Sequence, residues 1–255
     1  MRPRTSFLPS LLVAALALLP APAAAQKGSA GPDTARVELS SGTTAFVVYP
    51  PGRKTGPAVL VVHEWWGLNG QIRGVARKLA QQGYIAIVPD LYHGRVTQDP
   101  EQAHVLLRGL EDAAVFADLD AAVAWLRASP RVGKGRVAAI GFCAGGAYTL
   151  QYAIARPELA AAIVFYGPPE TDAAKLAKLS VPLQGHFGGR DEGIPAARVE
   201  ALRAGLVKAG KTGEVFTYAG ADHAFFNEDR PAYHADAARH AWTRALAFLQ
   251  KYLKG

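Results

Sequence analysis

The stretch Gly141-Phe142-Cys143-Ala144-Gly145-Gly146 constrains this chain more than any other. It follows an apolar run at 137–140 and leads into a helical pattern at 147–155. A glycine two before and two after a Ser or Cys, where a strand turns into a helix, is the layout of a nucleophile elbow. Residues without a Cβ let strand and helix approach while the turn holds the nucleophile strained. The elbow residue is Cys143, the only cysteine in the chain. Its position points to covalent catalysis rather than to packing.

The rest of the chain alternates around this turn. Residues 58–62, 85–88, 137–140 and 161–165 are continuous apolar runs, as expected of strands buried on both faces, with weaker runs at 183–187 and 214–218. Helical patterns occupy 71–82, 111–128, 147–155, 196–209 and 235–253. In the last of these, Trp242, Ala245, Leu246, Leu249 and Leu253 form one apolar stripe. Such alternation predicts a single α/β domain, a mostly parallel central sheet with helices on both faces. Residues 35–39 and 45–49, joined at Ser40-Ser41-Gly42, read as an N-terminal antiparallel hairpin. No internal repeat or linker divides residues 26–255.

Residues 1–25 read as a secretory signal peptide. Arg2 and Arg4 precede a short apolar run at 8–19, and Ala23-Ala24-Ala25 is a small-residue cleavage site. The run is shorter than the roughly 20 apolar residues that span a bilayer. The expected mature chain is therefore exported, periplasmic or secreted, and free of the membrane after cleavage. Losing two arginines and no acid lowers the formal net charge from +7 to +5. No Lys/Arg run tracks a phosphate backbone, which argues against nucleic acid as a partner. One cysteine excludes an intramolecular disulfide. The oligomeric state stays open, with a monomer favoured.

In a parallel sheet, functional groups gather at the carboxyl ends of strands. A hydrolase should carry an acid and then a base after later strands. Asp191 follows the 183–187 run and His223 follows the 214–218 run, in that order. His223 would take the thiol proton and later activate water; Asp191 would fix its tautomer and stabilise its charge. Asp222 is the alternative acid. After the 58–62 run comes His63-Glu64-Trp65-Trp66-Gly67-Leu68-Asn69. This loop is expected to give one oxyanion donor, the N–H of Trp65, with the N–H of Ala144 as the other. Glu64 would point into the same pocket, with Trp65, Trp66, Phe225 and Phe226 as its apolar lining. His63 lacks a second histidine at metal-ligand spacing, so no metal is expected. The glycines match neither a phosphate loop nor a dinucleotide fingerprint, and no cofactor is expected.

With these residues in hand, the chain resembles the dienelactone hydrolase family of the α/β-hydrolase fold. The resemblance is carried by residues 61–69, Pro89-Asp90-Leu91-Tyr92, residues 141–146, Gly188-Gly189-Arg190-Asp191 and residues 220–225, and it spans about 35–253. It implies Cys143, Asp191 and His223 as a triad, Glu64 in contact with the resting thiol, and opening of an enol-lactone or related ester through an acyl-thiol. It also implies two substrate arginines. Arg95 is near one expected place, while the other, just past His223, is taken by neutral Asn227. Dienelactone itself is therefore less favoured than small esters or lactones in general. The alternatives are an esterase for bulkier extracellular acyl groups and a non-catalytic binding protein on the same fold. A thiol redox sensor would need a resolving cysteine.

Overall fold

The computed structural model describes residues 32–53 and 55–254, together with Met1. Apart from Met1, the leader expected over 1–25 lies outside the described residues. Strands β1 (Asp33–Glu38) and β2 (Thr44–Tyr49) form the expected antiparallel hairpin, and β2 pairs antiparallel with β4 (Ile85–Pro89). The remaining pairings are parallel. They join β4 to β3 (Gly56–Val62), then β5 (Val132–Phe142), β6 (Ala161–Phe165), β7 (Leu183–Gly188) and β8 (Gly213–Tyr218). The sheet order is β1-β2-β4-β3-β5-β6-β7-β8.

The central strands are apolar at successive positions because their two faces meet different helical layers. In β3, Val59 and Val61 pack into the layer of α1 (Gly70–Gln81) and α7 (Ala235–Leu253). Ala58, Leu60 and Val62 pack into the opposite layer, with α3 (Asp112–Ala128), α4 (Ala144–Ala155) and α6 (Ala196–Lys208). Each fully buried Val or Leu contributes about 1.5–3 kcal/mol by leaving water. Helix α1 starts where Asn69 Oδ1 accepts the Ile72 N–H at 3.1 Å, and it buries Ile72, Val75, Ala76, Leu79 and Ala80. In α7 the expected stripe holds: Ala245, Leu249 and Leu253 are buried, and Trp242 and Leu246 flank them half-buried.

Two helices escape the sequence reading. Helix α2 (Pro100–Arg108) buries only Ala103, so it shows no apolar stripe. Helix α5 (Ala173–Leu176) is too short for periodicity to register. Strand β5 also begins earlier than the apolar run, because it passes through Gly133 and Gly135, where the register with β3 shifts. Among the described residues no helix is long and apolar enough to cross a membrane.

Candidate active site

Helix α4 begins at Ala144, three residues before its apolar pattern, and Cys143 is the pivot between β5 and this helix. Its backbone sits at φ 54°, ψ −122°, a region that side-chain-bearing residues rarely occupy. Its N–H donates to Phe165 O (3.0 Å) and its carbonyl accepts from Gly146 N–H (2.9 Å). The flanking glycines are required by contact. A Cβ on Gly145 would run into the Val62 and His63 carbonyl oxygens, and one on Gly141 into Gly145 O and Thr149 Oγ1. The elbow therefore rests directly on the end of β3.

Two later strand ends bring their side chains to the same place. Asp191, after β7, is buried; its Oδ1 accepts from the Gly193 and Ile194 N–H groups, each at 2.9 Å. That leaves Oδ2 facing His223 Nδ1 at 2.7 Å. The other ring nitrogen, Nε2, lies 3.2 Å from Cys143 Sγ. Burial would lower the pKa of His223, but the hydrogen bonds to Asp191 and Cys143 and their charges override it and push it up to about 10. The raised pKa favours the charged ring, which then donates from Nε2 to sulfur. Asp222, the alternative acid, instead pairs with Arg190 (2.8 Å).

The loop after β3 supplies the next wall. Neither the Trp65 N–H nor the Ala144 N–H has an intramolecular partner among the described residues. Glu64 is buried. Rather than hydrogen-bonding the thiol, it accepts from Tyr166 OH (3.0 Å) on Oε1 and from Asn227 Nδ2 (2.6 Å) on Oε2. Burial raises its pKa, and these two donors only partly offset the rise. Asn227 is thus a buried support for Glu64 rather than a group open to a ligand.

Cys143, His223, Glu64, Trp65, Trp66 and Arg230 share the wall of a cavity of about 670 Å³. Two expected lining residues do not reach it. Phe225 is fully buried against Tyr166 and Tyr218, because Ala224, at φ 59°, turns the chain inward after His223. Phe226 is likewise buried, stacked on Phe142. Arg95 borders a separate groove with Val96 and Val105. Left-handed backbone at His93 (φ 51°) and Gly94 (φ 90°) turns it away, and its Nε donates back to Tyr92 O (3.3 Å).

Sequence reasoning missed two residues. Tyr166 follows β6 with φ 39°, holds Glu64, and sets its ring edge against His223, 5.3 Å between centroids. Nothing in the local pattern marks it beyond its place at a strand end. Arg230 lays its guanidinium over the Trp66 ring, 3.5 Å from the centroid, with no carboxylate partner among the described residues. Its only sequence signal is an arginine in the loop beyond His223. Among the described residues no three His, Cys, Asp or Glu side chains gather as a metal site.

A provisionally named carboxymethylenebutenolidase from Escherichia coli (strain K12) is 37% identical over 211 residues, 77% of either chain. One of the same provisional name from Methylorubrum extorquens is 34% identical over 210 residues, 77% of this chain and 72% of that protein. The crystal structure of a provisionally named dienelactone hydrolase from Klebsiella pneumoniae superposes with a TM-score of 0.80 at 33% identity, covering 87% of this chain and 99% of that one. With this α/β-hydrolase fold, and with the family profile matched over residues 43–253, the chain belongs to the dienelactone hydrolase family.

Proposed function

We propose that this chain is an exported hydrolase of small esters or lactones, working through Cys143, His223 and Asp191. The reading is carried by one observation: a hydrogen-bonded line from Sγ through the imidazole to a buried carboxylate, starting at a strained strand-to-helix turn. In the proposed reaction Sγ attacks the carbonyl carbon, and the carbonyl oxygen becomes an oxyanion held by the Trp65 and Ala144 N–H groups. Collapse breaks the C–O bond, and His223 Nε2 passes its proton to the leaving oxygen. In a lactone that oxygen stays tethered to the acyl group. Water then gives a proton to His223 and its oxygen to the thioester carbon; Sγ departs as thiolate, and the acid is released. Burial raises the pKa of Glu64 and so disfavours a negative charge beside the sulfur and the oxyanion. Arg230, a cavity cation with no carboxylate partner among the described residues, suits substrates that carry one.

The test starts from the full chain made in a bacterial host. Recovery from the periplasm with Gln26 as first residue, by intact mass, is expected. Hydrolysis of p-nitrophenyl acetate, dihydrocoumarin and dienelactone is then compared for wild type, Cys143→Ala and Arg230→Ala under reducing conditions. Cys143→Ala should lose activity by at least about 10³-fold, and wild type should show an acyl adduct on Cys143. Any preference for the carboxylated lactone should disappear in Arg230→Ala. Equal rates in wild type and Cys143→Ala would overturn the assignment.

A further inference from the structure

We infer that His63 is a positioning residue for the oxyanion site, acting through the peptide bond between Glu64 and Trp65. The inference rests on the hydrolytic reading above. His63 is buried, and its Nδ1 lies 2.6 Å from the carbonyl oxygen of the next residue, Glu64. A carbonyl can only accept, so Nδ1 carries the hydrogen and Nε2 is left as a bare, buried acceptor with no partner among the described residues. Burial drives the ring toward its neutral form. The ring is further placed by the edge of Tyr92, 5.1 Å between centroids.

The consequence follows from peptide geometry. The bond is planar and trans, so the carbonyl of Glu64 and the N–H of Trp65 point in opposite directions. Two donors draw that carbonyl to the buried side: His63 Nδ1 and the Gly67 N–H at 3.2 Å. The Trp65 N–H is thereby turned the other way, toward the cavity that Trp65 lines beside Cys143. It has no partner of its own there, as a donor reserved for a reacting oxygen requires. A hydrogen bond accepted by a carbonyl also polarises its peptide, which strengthens the N–H as a donor. His63 thus aims and sharpens one half of the oxyanion site without touching substrate.

The test compares His63→Leu, which removes the donor at similar volume, with His63→Asn, whose Nδ2 can replace Nδ1–H. With p-nitrophenyl acetate, His63→Leu should lower kcat by roughly 10- to 100-fold, less than the 10²–10³ of deleting an oxyanion donor outright. KM should stay within about twofold, the pattern of an interaction made only in the transition state. Affinity for a trifluoromethyl ketone, which forms a tetrahedral adduct on the thiol, should fall by the same factor as kcat. Alkylation of Cys143 by iodoacetamide creates no oxyanion and should keep its rate. His63→Asn should recover most of kcat. Equal losses in both variants, a rise in KM with kcat intact, or a parallel loss of alkylation would overturn the proposal. So would a folded His63→Asn whose kcat falls roughly tenfold or more below wild type, should His63→Leu fail to fold. Should wild type itself leave Cys143 unacylated, the hydrolytic reading fails instead.

Discussion

At the scale of single residues, the electrostatics of His223 decide how the site works. Burial would lower its pKa, and the hydrogen bonds and charges of Asp191, 2.7 Å from Nδ1, and of Cys143 bring it instead to about 10. Asp191→Asn removes that charge and leaves an amide able to favour the wrong tautomer. The imidazole should then titrate lower, toward the ordinary histidine value of 6.5, followed by NMR of the ring, and kcat should fall by about 10²- to 10⁴-fold. A wild-type ring that already titrates near 6.5 would sink this account of the ring's charge. Cys143, Asp191 and His223 were legible in the sequence because each sits in a glycine-marked turn directly after an apolar run. Phe225, Arg95 and Tyr166 were not. Their placement depends on left-handed backbone at Ala224, at His93 and Gly94, and at Tyr166 itself, and of these positions only Gly94 is a glycine that would announce a turn.

At the scale of elements, the elbow is a contact between a helix and a strand end, and that contact can be tested alone. Helix α4 approaches β3 so closely at Gly145 that only backbone carbonyls stand in the way of a side chain, and these cannot rotate aside. Gly145→Ala should cost about 3 kcal/mol or more, at or beyond the upper end of ordinary overpacking. Gly70→Ala, at the start of α1 where an added methyl meets nothing within 4 Å, should be neutral or slightly stabilising. Urea unfolding of the two variants gives the comparison, and a Gly145→Ala cost below about 1 kcal/mol would refute the close approach. The same physics explains which elements were readable. Strands buried on two faces and helices with an apolar stripe announce themselves, as β3 and α7 do. Helix α2 turns eight of its nine residues to partial or full exposure, so its one cue was the Asp99-Pro100 cap, where Asp99 Oδ1 accepts from Glu101 N–H at 2.9 Å.

At the scale of the whole molecule, titratable groups with shifted pKa values oppose one another across the pH range. Glu64 and His223 have folded pKa values above their ordinary ones. Each stabilises the fold while protonated and loses that contribution as pH rises: Glu64 from about 4.5 upward, His223 between 6.5 and about 10. His186 has the opposite sign. Its ring, held between Gln184 and Tyr218, is lowered to about 3 by burial and by Arg244, so its contribution is complete above 6.5 and lost as pH falls. These opposing slopes place the stability maximum between acid and alkaline limits. The share due to Glu64 can be isolated. In Glu64→Gln the amide oxygen can accept from Asn227 while its N–H₂ donates to the Tyr166 hydroxyl, which is free to accept once it no longer donates. The variant keeps both partners and carries no group that ionises. Near pH 3, well below the ordinary value of 4.5, the gap between the two proteins should be smallest, because Glu64 is protonated in folded and unfolded chains alike. As pH rises, wild type loses stability that the variant retains, and the gap in Tm should open to about 2–4 °C, the response of a chain this size to ~1 kcal/mol. A gap that stays constant from acid to alkaline pH would mean that Glu64 ionises as easily in the folded protein as in water, and the raised pKa beside the reacting sulfur would have to be abandoned.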